Sequence, residues 1–372
     1  MMMKTRNILD QSVSSVNFKT LLEMKNIYTF VLLFGTILTV PFISNAQQES
    51  QFGNYIHNPY LFNPAAGGMY NLAQIDLGYR NQWLAATGNP TTMYLSGSTQ
   101  IFGKNTGVES IGEFNMGREN VYQTPERTVG SLKQVVGAKF MYDGIGPFSK
   151  TSFFASYGVH MPLTKTFNIG VGLGAGYGSF QIDHSRVVLH DANDQVYNQF
   201  AGQNANQNIL DVQSGLVVYS NRFMFSLSGT QLVNNKISVQ QMQTGNNLNR
   251  HLFIMSAYSF QLTDVVELEP FAMVKGVKGS PTSFDVGARV KYNKSIWAGL
   301  QYRRGNSFVV SAGMNFLRNF NFSYAFEYGM QSVRISKAGT HELQLGILIG
   351  NNRNTDKEIE KSKKKGEEEI SK

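Results

Sequence analysis

The segment Phe167-Asn168-Ile169-Gly170-Val171-Gly172-Leu173-Gly174-Ala175-Gly176-Tyr177-Gly178 places an apolar side chain on every odd position and a glycine on nearly every even one. Successive side chains of a strand point to opposite faces, so this segment has one apolar face and one nearly bare face. A soluble sheet would carry polar groups on its second face. Here the apolar face suits lipid, and the bare face leaves room inside a curved, closed sheet. The same period recurs along most of the chain, behind a secretion leader. It predicts an all-β fold: a transmembrane antiparallel β-barrel of the outer-membrane kind.

Composition agrees. The 372 residues are enough for one large barrel. Hydrophobic residues make up 42% of the chain, yet mean hydropathy is −0.22, so apolar content is dispersed rather than gathered into spans. Beyond the N-terminal region no apolar run reaches the ~20 residues of a membrane helix. The 36 glycines and 12% aromatic content suit turns, barrel corners and interfacial rings. With no cysteine there are neither disulfides nor thiolate metal sites. The net charge of +8 comes from lysines and arginines scattered through turns, strand ends and the tail. No basic helix or stripe is formed, so no nucleic-acid partner is expected.

Residues 1–46 read as a leader. Lys25 supplies the basic start, Ile27 to Val40 the apolar run, and Ser44 and Ala46 the small residues before a cleavage that leaves Gln47 first. Met24 is placed to be the true start. Residues 47–72 then form a periplasmic segment before the barrel, 73–349 the barrel, and 350–372 a charged periplasmic tail.

Fourteen strands are expected: Ala73–Gln82, Thr91–Phe102, Leu132–Asp143, Thr151–Met161, Phe167–Gln181, Leu210–Tyr219, Phe223–Gln231, His251–Gln261, Val265–Lys275, Ser283–Tyr292, Ile296–Arg303, Phe308–Phe316, Phe320–Glu327 and His341–Ile349. In the tenth, Phe284, Val286, Ala288, Val290 and Tyr292 share one face, opposite Asp285, Gly287, Arg289 and Lys291. Strands of about 9–11 residues cross a bilayer, and an even count returns both termini to the periplasm. Turn lengths agree. Pro162–Thr166, Ser220–Arg222, Leu262–Asp264, Asn293–Lys294 and Leu317–Asn319 are short inner turns, whereas Ile182–Ile209, Leu232–Arg250 and Gly329–Thr340 are long, polar outer loops. Gly103–Ser131 breaks the rule, being long and on the inner side: an inserted periplasmic loop or a missed strand. The competing soluble β-sandwich would place charges, not glycine, serine and asparagine, opposite its apolar face.

Within residues 47–72, Asn58-Pro59 and Asn63-Pro64 block a regular strand. Tyr55, Tyr60, Leu61 and Phe62 are too apolar for a free linker, so the segment packs against the periplasmic mouth or inside the lumen. The tail, with Lys363-Lys364-Lys365 beside Glu367-Glu368-Glu369, buries no core by itself. Asp76, Arg80, Asp285, Arg289, Lys291, Arg303 and Glu327 fall on inward faces. They either line a channel or pair off and plug it. Trp83 and Trp297, near strand ends, read as interfacial anchors.

No catalytic, cofactor or metal site is expected. The glycine run lacks Gly-x-Gly-x-x-Gly spacing and no helix follows it. Asp183-His184-Ser185 are adjacent, so as strand residues they would point to alternate faces. His341-Glu342 is not followed by a second histidine at zinc spacing.

Several short motifs carry a resemblance. Phe62-Asn63-Pro64-Ala65-Ala66-Gly67, Tyr79-Arg80-Asn81-Gln82-Trp83, Tyr142-Asp143-Gly144-Ile145-Gly146-Pro147, Gly172-Leu173-Gly174-Ala175-Gly176 and Gly339-Thr340-His341-Glu342-Leu343 resemble, in this order, the hallmarks of the PorP/SprF family of Bacteroidetes. The resemblance runs from about Gln47 to Ile349. It implies a non-enzymatic outer-membrane barrel of the type IX secretion and gliding machinery. Such a barrel exports or anchors a large, adhesin-like surface protein with a C-terminal sorting domain. Gly103–Ser131 and the tail depart from the family pattern. The expected partners are outer-membrane lipids, the secreted surface protein and periplasmic secretion components. Polar loop segments Asp194–Asn208 and Gln240–Asn249 offer an outer docking surface. The alternative is a porin or solute transporter.

Overall fold

A computed structural model describes residues 51–69, 72–102, 130–187, 207–233, 236–237, 246–247, 249–277, 281–304, 307–316, 319–329 and 338–349. The leader, the bulk of the Gly103–Ser131 connection, the tail and most of the outer loops lie outside the described residues.

Fourteen antiparallel strands close on themselves. In chain order they are β1 (Ala73–Asn81), β2 (Thr91–Phe102), β3 (Lys133–Ile145), β4 (Phe148–Pro162), β5 (Asn168–Ile182), β6 (Gln207–Tyr219), β7 (Phe223–Thr230), β8 (His251–Tyr258), β9 (Val266–Val277), β10 (Ser283–Tyr292), β11 (Ile296–Arg303), β12 (Ser307–Phe316), β13 (Phe320–Gly329) and β14 (Thr340–Ile349). Phe260–Gln261 continues β8 past Ser259 and pairs with β9. Each strand pairs with its sequence neighbours, and β1 pairs with β14 from Ala73 opposite Ile349 to Asn81 opposite His341. Closure leaves no edge, which is how a sheet satisfies its backbone in lipid.

The expected strands all occur, within a few residues. β3, β4 and β6, at 13, 15 and 13 residues, run longer than the sequence pattern suggested, and β5 has its expected 15, against 8 to 10 for β10 to β14. Both ends of the ring, the start of β1 and the finish of β14, lie at one end of the barrel, called here the terminal end.

Alternation sets the two faces. On β5, Val171, Leu173 and Tyr177 are 52%, 61% and 54% exposed on the outer surface, while Gly170, Gly172, Gly174, Gly176 and Gly178 are buried inside. On β1, Ile75, Leu77 and Tyr79 face out, and Asp76 and Arg80 are buried within. The aromatic row Phe322, Tyr324 and Tyr328 of β13 is exposed on the outside. β8 and β9 differ, for their inward residues include Phe253, Met255, Phe271 and Met273, all buried. What those side chains meet is a segment from the same chain. Residues 51–69 lie inside the lumen, not beside its mouth. All of them beyond the half-buried Gln51 are buried.

The inward glycines make room for it. A Cβ on Gly172 would sit 2.5 Å from the Ala65 nitrogen and one on Gly215 only 1.8 Å from Asn63 Oδ1. A Cβ on Gly174 would meet nothing closer than 3.4 Å. Gly215→Ala is therefore expected to lose about 1–3 kcal/mol through overpacking, while Gly174→Ala stays near wild type. Urea unfolding followed by heat-modifiable mobility checks the pair, and equal midpoints would refute the fit.

Candidate functional site

Among the described residues, chemistry-bearing side chains from many strands converge in the lumen. Its occupant begins with two short turns. Asn58 and Asn63 precede prolines that open 3-10 turns at Pro59–Leu61 and Pro64–Ala66. Asn63 Oδ1 accepts from Ala65 N at 2.8 Å, capping the second turn. The Asn63 amide nitrogen donates to Ser226 Oγ at 2.7 Å and to the Leu216 carbonyl at 3.0 Å. Asn63 thus ties the segment to β6 and β7 and is wholly buried.

Other strands supply the remaining partners. Lys139 Nζ donates to the Leu61 carbonyl at 2.5 Å, and Lys133 Nζ to that of Gly68. Asn58 Nδ2 donates to Ser96 Oγ at 2.8 Å, Asn54 Nδ2 to Ser323 Oγ at 2.6 Å, and the Tyr60 hydroxyl lies 2.6 Å from Ser156 Oγ. The Gly53 and Asn54 amides donate to the Glu342 carboxylate at 2.7 and 3.2 Å, and Arg303 donates to the Phe52 carbonyl at 2.8 Å. Between these polar ties, Phe52, Tyr55, Ile56, Leu61 and Phe62 pack on Tyr94, Phe253, Met255, Phe271 and Met273. Ring centroids lie 5.0 Å apart for Phe62 and Phe253, and 5.1 Å for Phe52 and Tyr94.

The inward charges form two clusters. In the first, Arg80 lies 2.7 Å from Glu327 and 3.2 Å from Glu342, and Arg303 lies 2.7 Å from Glu327 and 3.0 Å from Asp285. Gln301 and Ser307 add hydrogen bonds to Asp285 and Glu327 at 3.0 and 2.8 Å. In the second, Glu269 holds Arg289 at 2.5 Å and Lys291 alongside. Arg289 stands 5.3 Å over the Trp297 ring, which stacks on His57 of the lumen segment. Asp76, also buried, accepts from Gln74 at 2.6 Å and Gln344 at 3.5 Å.

All seven inward charges named from the sequence are therefore inside. Six are in ion pairs, and Asp76 is bonded to amides. Glu342, Glu269, Lys133, Lys139, Lys275 and Asp211 are buried as well and were not named as inward charges. Their alternation was readable, but nothing in a lone strand shows which charge meets which. Of the motif residues, Asn63 and Pro64 sit in the lumen segment, Arg80 in the first cluster and Tyr79 on the outer surface. Gln82 and Trp83 form the β1–β2 turn, where Gln82 N donates to the Pro90 carbonyl at 2.8 Å. Trp83 N donates there to Thr340 Oγ1 at 3.1 Å across the seam.

Trp297 corrects the anchoring reading. It shares the inward face of β11 with Gln301 and Arg303, and the missing side chain of Gly313 accommodates its ring. Asp183-His184-Ser185 is a capped turn after β5. Asp183 accepts from the Ser185 hydroxyl at 2.6 Å and its amide at 3.0 Å, bonds that hold the carboxyl below its ordinary range. Both Asp183 and Ser185 are exposed, and they bond each other directly with no imidazole relay between them. Among the described residues no cluster of histidine, aspartate and glutamate is arranged to hold a metal ion.

Removing one member of a buried, shared ion pair leaves its partner's charge uncompensated. Glu342→Ala would strip Arg80 of one partner and orphan two lumen-segment amides, with an expected loss of about 3–5 kcal/mol. Asp183→Ala, on an exposed turn, should leave the unfolding midpoint unchanged. Chemical denaturation in detergent compares them, and a neutral Glu342→Ala would show that the cluster does not hold the segment.

The family described as type IX secretion system membrane protein PorP/SprF matches residues 44–347. Among curated proteins no relative matches. Solved structures with a similar course of the chain include the outer membrane protein Omp33 of Acinetobacter baumannii, 9% identical, covering 76% of this chain and 100% of its own, at a TM-score of 0.39. The toluene transporter TbuX of Ralstonia pickettii is 7% identical over 77% and 90%, at 0.40. The toluene transporter TodX of Pseudomonas putida is 10% identical over 82% and 95%, at 0.39. Likenesses this distant carry no functional argument.

Proposed function

The chain belongs to the PorP/SprF family of type IX secretion system membrane proteins. From that premise we propose a non-enzymatic barrel that docks an exported, adhesin-like surface protein with a C-terminal sorting domain and holds it for the secretion and gliding machinery. The observation that supports this reading is the filled lumen. Residues 51–69 occupy it, and wall side chains hold their carbonyls, amides and asparagines. A barrel closed in this way works through its two faces rather than its bore. An even strand count puts the start of β1 and the finish of β14 on one side, and the short turns on that side mark it as the periplasmic face, with the long loops on the outer one.

The porin reading makes the opposite demand, a continuous wet path lined by charges with spare capacity. The paired state of Arg80, Arg303, Arg289 and Lys291 weighs against it. Two measurements separate the readings. Planar-bilayer recordings of the purified barrel should stay silent, and steady ohmic steps would favour the channel. A tagged barrel drawn from gently solubilised outer membranes should bring along a surface protein with a C-terminal sorting domain or periplasmic secretion components. That recovery should fall when Asp194–Asn208 or Gln240–Asn249 is replaced by a short glycine-serine turn. Repeated recovery of the barrel alone would count decisively against docking.

A further inference from the structure

We propose that the lumen segment is threaded through the whole barrel, so that the mature amino terminus emerges on the face opposite the end at which β1 begins and β14 finishes. Three strands fix where the segment enters. The Phe52 carbonyl accepts from Arg303, the last residue of β11, which ends away from the terminal end. The Gly53 and Asn54 amides bond Glu342, the third residue of β14, which starts there. The Gly53 backbone also lies against Val309, the third residue of β12, which starts at the same end. The exit is fixed as firmly. The Gly68 amide donates to Ser98 Oγ at 3.2 Å near the finish of β2, and its carbonyl accepts from Lys133, the first residue of β3. Both strand positions are at the terminal end, where the chain turns into β1.

Reach then decides where the amino terminus lies. With the leader removed after Ala46, residues 47–50 precede Gln51. Fully extended, they span about 14 Å at most. Returning to the terminal end means crossing the membrane again, roughly 25–30 Å, through a lumen that the segment already fills. The amino terminus therefore stays with the long loops. The inference rests on the docking reading for the direction of that face, which is the outer one.

The chain lacks cysteine, so single substitutions report cleanly. Ser50→Cys, Ser185→Cys in the exposed turn after β5, and Lys165→Cys in the exposed turn between β4 and β5 are each treated with a membrane-impermeant maleimide, in intact and in permeabilised cells. Ser50 and Ser185 variants should label in intact cells, with Lys165→Cys labelled only after permeabilisation. Labelling of Ser50→Cys only after permeabilisation, alongside Lys165→Cys, would overturn the threading while leaving the outer loops in place. If Lys165→Cys labels in intact cells and Ser185→Cys does not, the assumed direction of the barrel is wrong. Threading is then judged by whether Ser50→Cys still sides with Ser185→Cys. If Ser50→Cys labels under neither condition, a hydrophilic epitope between Ala46 and Gln47 takes its place. Antibody binding to the face that carries Ser185 supports the proposal, and binding to the face that carries Lys165 overturns it.

Discussion

A backbone buried inside a barrel is cut off from bulk solvent, so its N–H and C=O groups look for partners on the wall or within the segment itself. That requirement governs the interior of this protein. Residues 51–69 satisfy some groups locally, through the turns at Pro59–Leu61 and Pro64–Ala66. The wall satisfies others, and it does so with a division of labour. Cations take carbonyls: Arg303 that of Phe52, Lys139 that of Leu61 and Lys133 that of Gly68. The carboxylate of Glu342 takes amides. Serines take the asparagine side chains. The charged wall groups are thus neutralised partly by one another and partly by the dipoles of the segment they enclose.

The glycines follow from the same constraint. A wall residue can approach a backbone only if its own side chain is absent, and Gly172 against Pro64 and Ala65, or Gly215 against Asn63, leaves no space for even a methyl group. Where the segment is aromatic rather than tightly turned, the wall reverses its chemistry. β8 and β9 turn Phe253, Met255, Phe271 and Met273 inward, and the rings of Phe52, Tyr55 and Phe62 pack there. Bare, charged and apolar sectors of the lumen face the parts of one peptide that need them.

This is also why the barrel was legible in the sequence and its interior only half so. The two-residue period of Phe167–Gly178 is local information, and so were the strand bounds, the short turns at one end and the inwardness of Asp76, Arg80 and Asp285. Which groups meet across a lumen depends on closure and register, which no single strand records. Glu342 was visible in a His-Glu pair and in the last family motif, and nothing near it in sequence points to Gly53, Asn54 or Arg80. Trp297 was assigned by a statistical habit of tryptophan at strand ends, whereas its position on the same parity as Gln301 and Arg303 already placed it inside. The segment itself was readable as too apolar to be a linker. Its insertion became evident only with the wall in place.

The polar lumen has a further physical reason to exist. An interior packed entirely with aliphatic residues would make every strand apolar on both faces, and such stretches read as membrane helices. Alternating each lipid-facing residue with glycine, serine or a charge keeps mean hydropathy at −0.22, so the strands do not read as membrane helices. The charges and bare glycines that this route imposes would leave a wet, uncompensated bore after closure. A turn-rich peptide with asparagines and aromatic rings in alternation compensates all three sectors at once. On this argument the filled lumen is not an addition to a channel. It is the state in which the polar and bare sectors of the wall are compensated.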